Sequence, residues 1–170
     1  MQAERRSSAE VQPGLEERLR ANWQRVRERV EAAAQRCGRE PGEVTVVAVS
    51  KTHPAEMVMA AAAAVVRDFG ENYVQEFLEK RGRVVEAGAP PLRWHFVGHL
   101  QRNKAKFLAG ACHLVHSLDS LELAAELDRR AGKAGARQAV LIEVNVAGEE
   151  SKYGVEPGAV VGLARQVAAF

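Results

Sequence analysis

The chain has 170 residues, of which 46% are hydrophobic, enough to bury the core of one globular domain. Lys plus Arg (24) nearly balances Asp plus Glu (22), so the overall charge gives no reason to expect a nucleic-acid partner. No apolar run suits a secretory signal or a membrane span, so we expect a cytoplasmic protein without membrane contact. Cys37 and Cys112 are too few and too far apart for a zinc knuckle or a disulfide scaffold, and we expect both to be reduced, with Cys112 in the core.

The first elements are a polar tail and an amphipathic helix. Residues 1–13 lack apolar periodicity and are expected to form a flexible N-terminal tail that ends at Pro13-Gly14. From residue 15 to residue 37 apolar side chains recur every three or four positions, which predicts a helix, and Gly38 stands where a C-terminal cap is expected. Residues 14–170 are therefore expected to form a single domain.

Strand and helix patterns alternate from residue 44 onward. The strands are predicted at 44–50, 66–70, 93–98, 112–117 and 139–145, and the helices at 54–65, 73–87, 101–109, 120–134 and from about 157. The fourth of these helices is expected to be capped by Asp119 or Ser117. Five strands joined by short helical crossovers predict a parallel α/β sheet or barrel.

The last predicted strand favours the barrel. One parity of this strand is aliphatic (Val140, Ile142 and Val144), whereas the other carries Glu143 and Asn145. A sheet covered by helices on both faces tolerates such a polar side poorly, while the inner face of a barrel becomes polar near its mouth.

Lys51 follows the first predicted strand. The β-branched run 44–50 is typical of a strand buried on both faces, and it would place Lys51 at the carboxyl end, where α/β folds bind their ligands. An amine held against apolar walls loses its proton more easily and becomes a nucleophile. The alternative is a solvated lysine that marks the end of the strand.

Three further strand ends carry hydrogen-bonding side chains, namely Asn72, His95 and Asn145. Convergence of such groups at one barrel face predicts a small-molecule site. Each also has a structural interpretation: Asn72 as a helix cap, His95 as a satisfied core histidine, and Asn145 as a strand terminator.

The segment 99–106 is locally basic, which suits an anion, a nucleic-acid contact or a solvated first helical turn. No aromatic platform accompanies the charges, so nucleic acid is disfavoured. The pairs His95/His99 and His113/His116 suggest a metal, but residues three or four apart on a strand do not converge on one ion. We therefore expect no metal site.

Four motifs carry a specific resemblance. They are AVSKT at 48–52, FGENYVQE at 69–76, WHFVGHLQRNK at 94–104 and EESKYG at 149–154. In order and spacing they resemble the pyridoxal-phosphate homeostasis protein family, whose fold is that of the alanine racemase N-terminal barrel. The resemblance covers roughly residues 15–170.

The resemblance implies an α/β fold of the (β/α)8 TIM-barrel type, the fold-type III class of pyridoxal 5′-phosphate (PLP) proteins, with an extra N-terminal helix. About five of the eight β/α units are present in this chain. It also implies that PLP is held as a Schiff base on Lys51, with Asn72 and His95 near the cofactor ring. Asn145 and the 151–154 loop would help to form the mouth.

The function that the resemblance implies is non-catalytic carriage of PLP in vitamin B6 homeostasis, with PLP-dependent apoenzymes as recipients. A racemase needs a second base, a tyrosine supplied by a separate domain in alanine racemase, and Tyr73 and Tyr153 belong to the barrel motifs. A PLP-dependent racemase and an interaction module with a basic surface remain the alternatives. The family's phosphate-binding segments would follow Phe170, so weak PLP binding and self-association through open sheet edges are expected.

Overall fold

The computed structural model describes residues 14–170, and the predicted tail at 1–13 lies outside the described residues. The first helix (α1) spans Leu15–Arg36, as its periodicity predicts. Gly38 follows it with φ of 66°. The amides of Gly38 and Arg39 bond back to the carbonyls of Gln35 and Ala34, which closes the last turn.

The strands and helices alternate along the rest of the described chain. The strands are Ala48–Val49 (β1), Asp68–Glu71 (β2), Arg93–Phe96 (β3), Leu114–Leu118 (β4) and Ala139–Ile142 (β5). The helices after α1 are Ala55–Ala63 (α2), Val74–Glu86 (α3), Leu121–Lys133 (α4) and Val160–Val167 (α5). Short 3₁₀ turns occupy Pro41–Glu43, Arg102–Phe107 and Pro157–Ala159.

The five strands form one parallel sheet in the sequential order β1-β2-β3-β4-β5. A doubly wound sheet reverses its strand order, whereas a barrel winds in one direction. The sequential order therefore confirms the predicted barrel type, here as an arc of five strands. The two ends of this arc are β1 and β5.

The outer face of the arc packs against the helices. Phe69 and Trp94 lie on neighbouring strands with ring centroids 5.9 Å apart, and Phe77 of α3 meets Trp94 edge-on at 5.9 Å. Phe69 and Phe77 are almost fully buried. Burial of these rings away from water supplies the main stabilisation of the domain.

The inner face of the arc is open at its two ends. Val49 of β1 and Leu141 of β5 are each 49% exposed, although their neighbours Ala48 and Ile142 pack on the core. The prediction that the first strand is buried on both faces was therefore wrong. The alternation of polar and apolar residues predicted for the last strand is confirmed as an inner and an outer face.

Three local predictions were also wrong. The first strand is limited to Ala48–Val49, the two residues that pair with Phe69 and Gly70 of β2. Residues 101–109 contain a 3₁₀ turn at Arg102–Phe107 in place of an α-helix. The cap of α4 is Ser120, whose hydroxyl accepts the Leu123 amide, and not Asp119 or Ser117.

The remaining global predictions concern the cysteines and the membrane. Cys112 is buried in the core, as predicted, and burial raises the pKa of its thiol to about 11. Cys37 is exposed, and both thiols are free. Within residues 14–170, no helix is both long enough and apolar enough to cross a bilayer.

Candidate functional site

The strand register brings Lys51 and Asn72 to the same edge of the inner face. Val49 pairs with Gly70, and Gly70 pairs with His95. Lys51 and Asn72 each follow by two residues the paired positions Val49 and Gly70, so they lie beyond the last paired positions of neighbouring strands. His95 lies one layer deeper on the third strand.

Lys51 is exposed in the turn between β1 and α2. Its amine has no hydrogen-bond or ion-pair partner among the described residues, although the peptide around it is sharply bent. Thr52 adopts φ of 65°, a left-handed conformation that a β-branched residue rarely takes. The apolar enclosure predicted for Lys51 is not found in the described part of the chain, because the inner face beside β1 is open.

Three charged residues fix the peptide on both sides of the candidate lysine; we call Glu71, Glu76 and Lys80 the clamp. Lys80 Nζ donates to Glu71 Oε1 at 2.8 Å and to Glu76 Oε2 at 2.7 Å. It also donates to the Ser50 carbonyl at 2.7 Å. The Ser50 hydroxyl donates to Glu71 Oε1 at 2.6 Å, and the Thr52 amide donates to Glu76 Oε2 at 2.8 Å.

Lys80 was missed by the sequence reasoning. It is only 5% exposed and lies on the buried face of α3 together with Val74, Phe77 and Val84. A lysine at helical spacing within an apolar stripe is a signal that could have identified it. The Lys80 ammonium, with a smaller contribution from the Thr52 amide, holds the pKa of the Glu76 carboxyl below its usual range.

The side chain of Asn72 has no hydrogen-bond partner within the part of the chain that the structure describes. The cap position of α3 is Tyr73, and no side chain there bonds to the helix, so the structure does not support a capping role for Asn72. Asn72 lines an open cleft of about 310 Å³ that also contains Phe96 and Lys104. A Cβ added to Gly98 would clash with the Asn72 carbonyl oxygen, so only glycine permits this close approach of the segments that follow β2 and β3.

A chain of polar side chains crosses the inner face; we call Arg93, Asp68, His95 and His116 the inner ladder. Arg93 Nε donates to Asp68 Oδ1 at 2.6 Å, and His95 Nε2 lies 3.1 Å from the same oxygen. His95 Nδ1 lies 2.9 Å from His116 Nε2. His95 is 3% exposed and matches the satisfied core histidine of the sequence analysis, so its contact with a cofactor ring stays a prediction.

The hydrogen bonds of the inner ladder determine which ring nitrogens donate and which accept. The hydrogen bond from Arg93 keeps the pKa of Asp68 below its usual range, so this carboxylate accepts from His95 Nε2–H. When the His95 ring carries its single hydrogen on Nε2, Nδ1 is an acceptor and takes its hydrogen bond from His116 Nε2–H. Desolvation, with a smaller contribution from His95, lowers the pKa of His116 and favours its neutral form.

Asn145 follows β5, at the opposite end of the arc from Lys51. Its Nδ2 donates to the Glu149 carbonyl at 2.9 Å, and its amide donates to the Val155 carbonyl at 2.9 Å. Gly154 makes this possible, because its φ is 107° and a Cβ there would lie 2.8 Å from the Asn145 nitrogen. Asn145 thus closes the loop after β5, and its role at a cofactor stays a prediction.

The 151–154 loop reaches the other strand ends. The Tyr153 ring stacks on His99 with centroids 3.6 Å apart, and His99 Nδ1 lies 3.5 Å from Asp119 Oδ2. This contact joins the loop after β5 to the loop after β3. The loop therefore lies beside the residues that follow β3, and its place at the mouth of a cofactor site stays a prediction.

The histidines pair across strands and not along them. His95 bonds to His116 of the next strand, and its ring also meets His113 edge-on at 5.3 Å. Across residues 14–170, no group of three His, Cys, Asp or Glu side chains is arranged to hold a metal ion.

Sequence comparison shows the family. Residues 16–170 match the family described as alanine racemase, N-terminal domain. The chain therefore belongs to the alanine racemase N-terminal domain family. The pyridoxal phosphate homeostasis protein of Escherichia coli is 42% identical over 147 residues, which cover 86% of this chain and 63% of that protein. The protein of the same name from Aquifex aeolicus is 46% identical over 133 residues, or 78% of this chain and 57% of that protein.

Solved structures agree with this assignment. A protein of unknown function from Bifidobacterium adolescentis superposes with a TM-score of 0.82 at 32% identity, over 96% of this chain and 69% of that one. PipY of Synechococcus elongatus, solved with PLP bound, superposes with a TM-score of 0.66 at 36% identity, over 82% of this chain and 63% of that one. The resemblance stated from the four motifs is confirmed, although the chain spans less than two thirds of the length of these curated relatives.

Proposed function

We propose that this chain binds pyridoxal 5′-phosphate through a covalent bond to Lys51 and serves vitamin B6 homeostasis. One observation carries the proposal: the Lys51 amine has no partner among the described residues, while the peptide groups on both sides of it are hydrogen-bonded. A ligand-attaching lysine needs this combination of a free amine and a fixed backbone. The PLP-bound relative and the names of the curated relatives support the same ligand.

The residues beside Lys51 suit a flat heteroaromatic ring. A Cβ added to Gly70 would lie 3.2 Å from Val47 and Val49, so the two valine side chains cover this glycine and form an apolar shelf on the inner face. Asn72 follows Gly70 by two residues, and its side-chain amide has no hydrogen-bond partner among residues 14–170. PLP supplies an aldehyde that accepts an amine and a ring that withdraws electrons. Lys51 would hold the aldehyde carbon, and Val47, Val49 and Asn72 would contact the ring.

Carriage without turnover is the proposed role, with PLP-dependent apoenzymes as recipients. Racemisation at the α-carbon of an amino acid requires an acid or base on each face of the cofactor. The Tyr153 ring is stacked on His99, and Tyr73 is exposed at the start of α3. Neither tyrosine hydroxyl has a hydrogen-bond partner among the described residues, which favours a carrier over a racemase.

Reductive trapping tests the proposal. The chain is incubated with PLP, reduced with borohydride and digested, and the labelled peptide is identified by mass spectrometry. We expect one label on Lys51 and its loss in Lys51→Ala, while the exposed control Lys133→Ala keeps it. Equal labelling of several lysines, or labelling that survives Lys51→Ala, would contradict the proposal.

A PLP-dependent enzyme is the second candidate, and the inner ladder is the observation that favours it. His116 is half-buried on the inner face, and its pKa is lowered toward the neutral form that a general base requires. Exchange of amino-acid α-protons in D₂O separates the two functions. Exchange at enzymatic rates that disappears in His116→Gln would favour the enzyme over the carrier.

A further inference from the structure

The clamp lies behind the peptide that carries Lys51. Ser50 and Glu71 point to the outer face, where α3 supplies Lys80. Lys51 alternates with Ser50 and belongs to the inner parity. The clamp therefore bonds to the backbone of the candidate lysine's neighbours from the face opposite to the ligand, and makes no contact with its amine.

Burying the charges of the clamp costs desolvation free energy, so the clamp is not explained by core stability alone. Lys80 is 5% exposed and Glu71 is 0% exposed, so both charges are removed from water. Apolar residues of similar volume usually stabilise such a position as well as an ion pair or better. Buried charges are best explained where they select one arrangement of the chain. Here the buried Lys80 ammonium donates to the Ser50 carbonyl, and it also holds the partly exposed Glu76, which accepts the Thr52 amide.

The Thr52 amide is the sensitive point of this arrangement. Thr52 is held at φ of 65°, a conformation that costs energy for a β-branched residue and persists only where its surroundings fix it. Glu76 Oε2 accepts the amide of this residue at 2.8 Å and is itself held by Lys80. Without that acceptor the turn is free to relax, and the direction of the Lys51 side chain changes with it.

We propose that Glu71, Glu76 and Lys80 are positioning residues that aim the Lys51 amine at the inner face. This inference rests on the proposed function. Attachment forms a carbon–nitrogen double bond between Lys51 Nζ and the aldehyde carbon, and the aldehyde oxygen leaves as water with the two amine protons. A preset side-chain direction favours this step because less freedom is lost on attack.

Glu76→Ala tests the inference, with Glu79→Ala as the matched control on the exposed face of the same helix. The first readout is hydrogen exchange of the Thr52 amide, which needs no cofactor. The second is the fraction of Lys51 trapped by borohydride at a fixed PLP concentration. In Glu76→Ala we expect faster exchange and about tenfold weaker covalent attachment, the worth of one charge-assisted hydrogen bond.

A positioning role of the clamp is distinguished from a merely structural role by removing the attachment point, Lys51. In a Lys51→Ala background, we expect Glu76→Ala to change the dissociation constant for reversibly bound PLP by less than about twofold. Equal losses of affinity with and without Lys51 would overturn the positioning role. Glu76→Gln keeps an acceptor oxygen for the Thr52 amide, and we expect it to restore most of the trapped fraction.

The two buried members of the clamp need a paired substitution, because Lys80→Met alone leaves the Glu71 carboxylate buried without its cation. Glu71→Gln with Lys80→Met removes both charges, and we expect a folded chain with reduced trapping. If the unmodified chain is not labelled at Lys51, the proposed function fails. If it is labelled and neither clamp variant changes exchange or trapping, only the present inference fails.

Discussion

The outer and inner faces of the sheet carry opposite kinds of side chain, although the two kinds alternate along the same strands. On β3, Trp94 and Phe96 point outward into the core, whereas His95 between them points inward to Asp68 and His116. On this strand the outer face buries aromatic area against helices, and the inner face holds polar groups that bond to one another. Along β3, packing of the core and the polar network are thus separated by side-chain parity.

Phe77→Ala on α3 is expected to give the largest loss of stability. Phe77 is fully buried against Trp94, and truncation of a buried Phe costs about 3–5 kcal/mol through lost burial and a residual cavity. Urea unfolding measures the change. The control is Phe107→Ala, because Phe107 is 37% exposed and should lose much less. Equal losses of unfolding free energy in Phe77→Ala and Phe107→Ala would contradict the prediction that aromatic burial on the outer face stabilises the domain.

Asp68→Asn is expected to give the next largest effect and to test the inner ladder. The Asp68 pKa is held below the usual value near 3.8, so its stabilisation is complete above that pH and is lost as the pH falls through the lower folded value. At neutral pH we expect a loss of about 2 kcal/mol, typical of a hydrogen bond to a charged group.

The measurement for Asp68→Asn is urea unfolding at several pH values. The difference between the variant and the unmodified chain should shrink in acid, because the carboxyl then becomes protonated in the folded state too. A difference that is constant with pH would mean that the Asp68 charge does not stabilise the inner ladder.

The fold was largely predictable because parallel strands and amphipathic helices have different periods. The alternation from residue 44 onward located all five strands to within a few residues. The length of β1 was not predictable, since it depends on how many residues of Asp68–Glu71 pair with it. Local pattern also placed an α-helix where Arg102–Phe107 forms a 3₁₀ turn.

Site residues that follow a strand could be predicted from the sequence. Site residues that are defined by contacts between different strands and helices could not. Lys51 and Asn72 could be named because each follows a strand. Lys80 does not follow a strand, and only its place in the apolar stripe of α3 distinguishes it from an ordinary solvated helical lysine. The contact of His95 with His116 needs the register between β3 and β4, and no local pattern supplies that register.

His116→Gln is expected to have a smaller effect, visible as pH dependence. The folded pKa of His116 lies below the unfolded value of about 6.5, so the unfolded chain binds the proton first. Stability is complete above that pH and is lost as the pH falls through the folded value. We expect His116→Gln to remove part of this dependence of the unfolding free energy on pH, an effect of roughly 0.5 kcal/mol. Unfolding midpoints between about pH 8 and pH 5 measure it, and an unchanged slope would contradict the assignment.

Leu141→Gln is expected to have the smallest effect on stability, but we expect it to reduce self-association. Leu141 lies on the open inner face and is 49% exposed, so its replacement should change the unfolding free energy by less than about 0.5 kcal/mol. Exposed apolar side chains beside an unpaired strand favour self-association. Sedimentation velocity should therefore show less self-association for Leu141→Gln than for the unmodified chain.

The matched control for Leu141→Gln is Val161→Gln, since Val161 is 60% exposed on α5. Both variants lose an exposed apolar side chain, but only Leu141 lies on a strand at the end of the arc. Equal reductions would mean that general surface hydrophobicity drives association. A reduction confined to Leu141→Gln would locate the contact on the inner face at β5.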